Sequence, residues 1–222
     1  MKLYELIDFE PKPSKHDVKD TKNKIANKTN SKFIGAGAFG AAYDTQSNKR
    51  LNQITKIGRT GAIMKGKPAN KVEQDGWLAY MHAVHKAQQQ GDRNPYFPLM
   101  DDLRIRKDAT GELTYSANLH KLIPLDTEKL TSNIDLMKSV YERMFGQECP
   151  YNHWDSIKSD IIVNLQLSKN LADPDLKRAM NMIDSIVDKS GENDLIKDLH
   201  SGNIMWRMTG TMLHLVIVDP IA

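Results

Sequence analysis

The hydrophobic period of this chain changes twice, and those changes limit what it can fold into. From Lys32 to Gly58 the segments KFIGA, GAAYD and QITKIG read as short strands separated by glycine and polar turns. The following NKVEQDGWLAYMHAVHKAQQQG sets Trp77, Met81 and Val84 at helical spacing, with Gly91 as its stop and Gly76 as an awkward residue inside it. LRIRKDATGELTYSANLHKLIPL then alternates apolar and polar residues about an Asp-Ala-Thr-Gly turn, the pattern of a β-hairpin. Between residues 126 and 191 three segments are helical. The cleanest is DPDLKRAMNMIDSIVDKSG, with Asp173 as N-cap, Pro174 at the first helical position, and Leu176, Ala179, Met180, Ile183, Ile186 and Val187 on one face. Strands return in NIMWRM and LHLVIVDP, joined by a turn at 209–211. Strands, then helices, then strands again predict an α+β fold.

The same pattern suggests boundaries. Residues 1–31 end in PKPSKHDVKDTKNKIANKTNS, which has almost nothing to bury and reads as a basic, solvated arm. Residues 32–124 form a strand-rich N-terminal lobe, and residues 125–222 a helical C-terminal lobe. A net charge of +3 in a chain that is 27% charged gives no argument for a nucleic-acid partner. The lone Cys149 has no disulfide partner within the chain and no CxxC spacing, so a reducing cytoplasm is the expected compartment. No membrane partner is expected, because LHLVIVDPIA is far shorter than the ~20 residues that span a bilayer. The opening MKLYELIDFE carries acids where a signal peptide would be apolar.

GAGAFG places Gly35, Gly37 and Gly40 in a GxGxxG pattern that two nucleotide folds use. In a dinucleotide-binding unit these glycines open a helix, and an acid about 20 residues on takes the ribose. Here a strand follows, and no acid stands between Asp44 and Glu73. In a kinase the same spacing makes a hairpin lid whose backbone N–H groups approach the ATP phosphates, and Phe39 would shield them at its tip. Such a lid predicts a phosphate-binding lysine on the third strand and an acid on the next helix to orient it. Lys56 in ITKIG and Glu73 fit those places. Lys65 in AIMK resembles the lysine signature more closely, but the glycines and proline around it are poor strand material. Any one of these features alone is as well read as a glycine turn or a solvated charge.

DLHSGNIMW, which begins at Asp198, reads as a loop because Ser201 and Gly202 interrupt any helix. Phosphoryl transfer needs a carboxylate near the acceptor hydroxyl and oxygen ligands for a metal beside the triphosphate. Asp198 would accept the hydroxyl proton, while Asn203 and Asp219, at the end of the strand LVIV, would bind Mg²⁺. Separately, Asp219 before Pro220 is an ordinary turn starter and Asn203 an ordinary loop cap. What argues for function is the order of lid, lysine, acid and loop.

With these residues in place the chain resembles the protein kinase-like superfamily over residues 32–222. Within it, the chain is most similar to the early host-shutoff serine/threonine protein kinases of podophages, through D-x-H-S-G-N-I-M, the Pro after the metal acid, the A-A-Y after the lid and I-K-x-G. The resemblance implies a two-lobed kinase-like fold with a reduced helical C-lobe and ATP- and Mg²⁺-dependent phosphorylation of host proteins. Asp198, Lys56 and Glu73 would be catalytic; Gly35, Gly37, Phe39, Gly40 and Lys56 would bind ATP, and Asn203 and Asp219 the metal. Some features depart from the pattern. Ile196 and Lys197 stand in place of His-Arg, and Pro220 and Ile221 in place of Phe-Gly. His200 is shared with aminoglycoside and choline kinase-like enzymes, which leaves a small-molecule phosphotransferase as an alternative. The sequence ends at Ala222 without an activation segment, which leaves a third reading, a nucleotide-binding protein that transfers no phosphate. His82 with His85, and Cys149 with His153, lack the further partner that a metal or nucleophile site needs, and the methionines read as core filler.

Overall fold

A computed structural model describes residues 32–36, 40–44, 53–59, 71–107, 113–191 and 195–222. The arm at 1–31, Gly37 and Phe39 of the glycine turn, Lys65, and the Asp-Ala-Thr-Gly turn at 108–111 lie outside the described residues. The fold is α+β, built from two antiparallel sheets and five α-helices among those residues. Contacts divide the chain into two units. One comprises the chain to Asn70 with Leu99–Lys121, and the other Lys71–Pro98 with Leu122–Ala222. The contiguous boundary expected at 124/125 is therefore not the one observed, because the helix after residue 71 joins the C-terminal half.

The first unit is a five-stranded sheet in the order β1-β2-β3-β5-β4, with β1 Lys32–Ala36, β2 Gly40–Asp44, β3 Gln53–Arg59, β4 Met100–Lys107 and β5 Leu113–His120. Alternation decides its faces: Leu113, Tyr115 and Ala117 of β5 are buried, while the residues between them are half-buried. The Thr55 hydroxyl donates to Asn118 Oδ1 at 2.8 Å, a cross-strand pair that ties the centre of the sheet.

In the second unit, α1 is Gly76–Gln89, α2 Glu128–Thr131, α3 Ile134–Phe145, α4 Trp154–Gln166 and α5 Pro174–Ser190; a small sheet joins β6 Ile123–Pro124, β7 Ile204–Thr209 and β8 Met212–Ile217. Local chemistry sets the helix ends. Asp75, Asn133 and Asp173 cap the N-termini of α1, α3 and α5 by accepting from backbone N–H groups, and Gly146 closes α3 at φ +67°. On α5, Leu176, Ala179, Met180 and Ile183 are buried, whereas Ile186 and Val187 are only half-buried, so the apolar face is shorter than its periodicity predicts. Gly76, awkward in sequence, is explained by close approach. A Cβ there would lie 2.5 Å from the Ile221 carbonyl oxygen, so only glycine lets the start of α1 pass the backbone at Ile221.

Behind the small sheet lies a polar cluster. Arg207 donates to the carbonyls of Phe97 and Pro95, Arg143 to that of Leu213, and the Tyr96 hydroxyl to Asp173 at 2.9 Å. His214 pairs with Arg207 across the hairpin, and its Nδ1 is buried without a hydrogen-bond partner. Burial, and then the charges of Arg143 and Arg207, hold its pKa below the ordinary 6.5, against a smaller upward pull from Asp173. The folded protein therefore binds fewer protons here than the unfolded chain. This contribution to stability is complete above about pH 6.5 and is lost as the pH falls. We expect the melting temperature to drop between about pH 7 and about pH 5, and His214→Gln to flatten that segment of the curve. An identical acid slope in the variant would remove His214 as the cause.

Candidate functional site

Backbone pairing assembles the site. After α5 the chain runs antiparallel to its own C-terminal residues: Ile196 and Ala222 exchange N–H···O bonds of 3.0 Å each, Lys197 bridges Ile221, and Asp198 N–H donates to Pro220 O at 2.8 Å. A turn follows. Asn203 N–H donates to His200 O at 2.9 Å, and Gly202 N–H to His200 Nδ1 at 3.0 Å. A Cβ on Gly202 would come within 2.9 Å of that imidazole, which an exposed side chain could relieve by turning.

Asn203 is the hinge of the arrangement. Its Nδ2 donates to the Asp198 carbonyl at 2.8 Å, and its own carbonyl accepts from Val218 N–H at 2.9 Å and Asp219 N–H at 3.4 Å. The Asn203 amide and carbonyl thus tie the backbone at Asp198 to the backbone at Asp219, sixteen residues beyond Asn203. With Nδ2 engaged, the remaining atom of the Asn203 amide is Oδ1, a hard oxygen donor. All three side chains are half-buried. Tyr80 of α1, fully buried, donates to Ile217 O at 2.9 Å; burial first, and then the nearby negative charge of Asp219, raises its phenol pKa.

The loop is also held by side chains that sequence reasoning missed. Gln166 at the end of α4 donates through Nε2 to Lys197 O at 2.8 Å and accepts through Oε1 from Leu199 N–H at 2.9 Å. Lys197, only 14% exposed, pairs with Asp184 at 2.5 Å and donates to Ser168 Oγ at 2.8 Å, and that hydroxyl donates to Asp184 at 2.7 Å. Ser168 adopts φ +49°, a left-handed conformation steadied by this network. No local pattern marks Gln166 or Ser168, since their partners lie 16 to 33 residues downstream.

The other predicted residues belong to other elements. Lys56 is half-buried on β3 of the first unit, paired through its backbone with Ala42 and Ala117. Gly35 is the last residue but one of β1 and Gly40 the first of β2 in the same unit. Glu73 belongs to the second unit and stands in a 3-10 turn at Val72–Gln74, ahead of α1. It lies just before the start of that helix, whose N-cap is Asp75. Among the described residues, no three His, Cys, Asp or Glu side chains gather into a metal site. Asn203 Oδ1 and the Asp219 carboxylate are oxygen donors of the kind that a hard cation such as Mg²⁺ takes. Among the described residues, no helix is long and apolar enough to cross a membrane. The described residues thus define an α+β protein in two units, one carrying an acid, an amide and a second acid on adjoining backbone. No family model matches the chain, and no curated protein matches it significantly.

Proposed function

We propose that the chain is an ATP- and Mg²⁺-dependent phosphotransferase of the protein kinase-like class, acting on serine or threonine hydroxyls of proteins, with phage-host proteins as its substrates. The five-stranded unit and the helical unit would be the two lobes of that enzyme. The observation that carries the reading is the locking of Asp198, Asn203 and Asp219 onto one another through the Asn203 amide and carbonyl. Asp198 would orient the acceptor hydroxyl and take its proton. Asn203 Oδ1 and Asp219 would hold Mg²⁺, which supplies charge neutralisation at the phosphates. Lys56 and the turn between Gly35 and Gly40 would take the nucleotide phosphates.

A small-molecule acceptor is the second reading. The observation in its favour is His200, whose Nε2 lies 3.7 Å from Asp198 Oδ2 and whose side chain is 57% exposed beside it.

Host lysate incubated with the protein, Mg²⁺ and ATP labelled at the γ-phosphate separates the two. Labelled protein bands are expected, lost in Lys56→Ala and kept in Lys65→Ala. Label confined to small metabolites would favour the second reading. No transfer to any acceptor would sink the phosphotransferase assignment.

A further inference from the structure

Gln166 has an unusual placement. Its two polar side-chain atoms are both spent on the main chain of one short segment, one on each side of Asp198. Asp198 itself is pinned between these contacts by its own N–H on Pro220 O. Three backbone bonds at consecutive residues thus fix the peptide planes that flank the Asp198 Cα. Two of the three come from a single amide on a helix whose last residue is Gln166. A primary amide is the fitting group here. It offers a donor NH₂ group and an acceptor carbonyl without charge, and the segment presents one carbonyl and one N–H to meet them.

We infer that Gln166 is a positioning residue for phosphoryl transfer, setting the direction of the Asp198 carboxylate toward the acceptor hydroxyl. The inference rests on the proposed phosphotransferase reading. The physical reason is leverage: the carboxylate is one bond beyond Cβ, so rotation of either flanking peptide swings it. A misplacement near 1 Å costs roughly 10²-fold in rate. Neither nucleotide nor metal touches Gln166 in this scheme, so turnover should depend on it while ATP affinity does not.

Gln166→Met keeps length and volume but removes both hydrogen bonds. Gln166→Glu keeps the acceptor for Leu199 N–H but replaces the donor with a charged oxygen that faces the Lys197 carbonyl. Three measurements on wild type and both variants test the idea: kcat and KM for ATP with Mg²⁺, thermal melting, and amide hydrogen exchange at Leu199. The expected result is a fall in kcat of about 10- to 100-fold in Gln166→Met, with KM for ATP and the melting temperature near wild type and faster exchange at Leu199. Gln166→Glu should retain Leu199 protection and lose less kcat than Gln166→Met. Wild-type kcat in Gln166→Met would overturn the positioning role and leave the phosphotransferase reading standing. A parallel loss of melting temperature, ATP affinity and kcat in both variants would make Gln166 a purely structural residue and overturn it too. Should Gln166→Met fail to fold, Gln166→Glu carries the comparison, and unchanged kcat with slow Leu199 exchange would confine Gln166 to holding Leu199. An inactive wild-type protein would overturn the functional reading itself, and the positioning role with it.

Discussion

Asp198→Asn protein should fold, melt with the wild type and bind ATP with Mg²⁺ at near wild-type affinity, yet transfer phosphate about 10² to 10⁴ times more slowly, a barrier increase of roughly 3 to 5 kcal/mol. The structure sharpens this expectation by showing what the carboxylate does not do. The loop is fastened through the Asp198 main chain, whose N–H reaches Pro220 O and whose carbonyl accepts from Asn203, both at 2.8 Å. The contact from Asn203 Nδ2 to Asp198 Oδ2 is 3.5 Å, at the limit of a hydrogen bond. Removing the charge should therefore leave the loop standing. A carboxamide keeps the shape but cannot accept the hydroxyl proton. If Asp198 merely stabilised the loop, melting temperature and ATP binding would fall along with activity. A stable, ATP-binding variant with wild-type turnover would falsify the role assigned to Asp198.

The largest effect on stability is expected at Trp206. It is fully buried at the centre of the three-stranded sheet, between Ile123 of β6 and Leu215 of β8, and its ring lies 5.8 Å from that of Trp154. Its indole N–H donates to Leu125 O at 2.8 Å. Trp206→Ala leaves a cavity and costs about 3 to 5 kcal/mol, and the stranded Leu125 carbonyl adds about 1 to 3 kcal/mol if water does not reach it. Against a total stability of about 5 to 15 kcal/mol, this is a large share. Urea denaturation followed by circular dichroism should show a much lower midpoint for Trp206→Ala, with Trp206→Phe in between because it restores apolar area without the N–H. An unchanged midpoint in the alanine variant would mean that the sheet carrying the loop does not depend on this core.

How much of this was legible in advance varies with the range of the interaction. The helix at Pro174–Ser190 was readable because its cap, its proline and its apolar spacing are all local signals. The loop at 198–203 was readable for the same reason, since a Ser-Gly pair between an acid and an asparagine fits neither period. The start of the first long helix was less legible than its apolar face, because Asp75, six residues into the segment, captures the N–H of Leu78.

What the sequence determined by itself is therefore the α+β order of elements, the bounds of the helix at Pro174–Ser190, and the residue types gathered at the loop. Tertiary structure alone decided that Lys71–Pro98 would join the C-terminal unit, that Gly76 would be required by the Ile221 carbonyl, and that Gln166 would brace Asp198. Periodicity and capping act over one or two turns of chain and leave a trace in neighbouring residues. A hydrogen bond between Gln166 and Leu199, or a close approach of Gly76 and Ile221, depends on how distant segments pack, and neither residue's neighbours in sequence carry a mark of it.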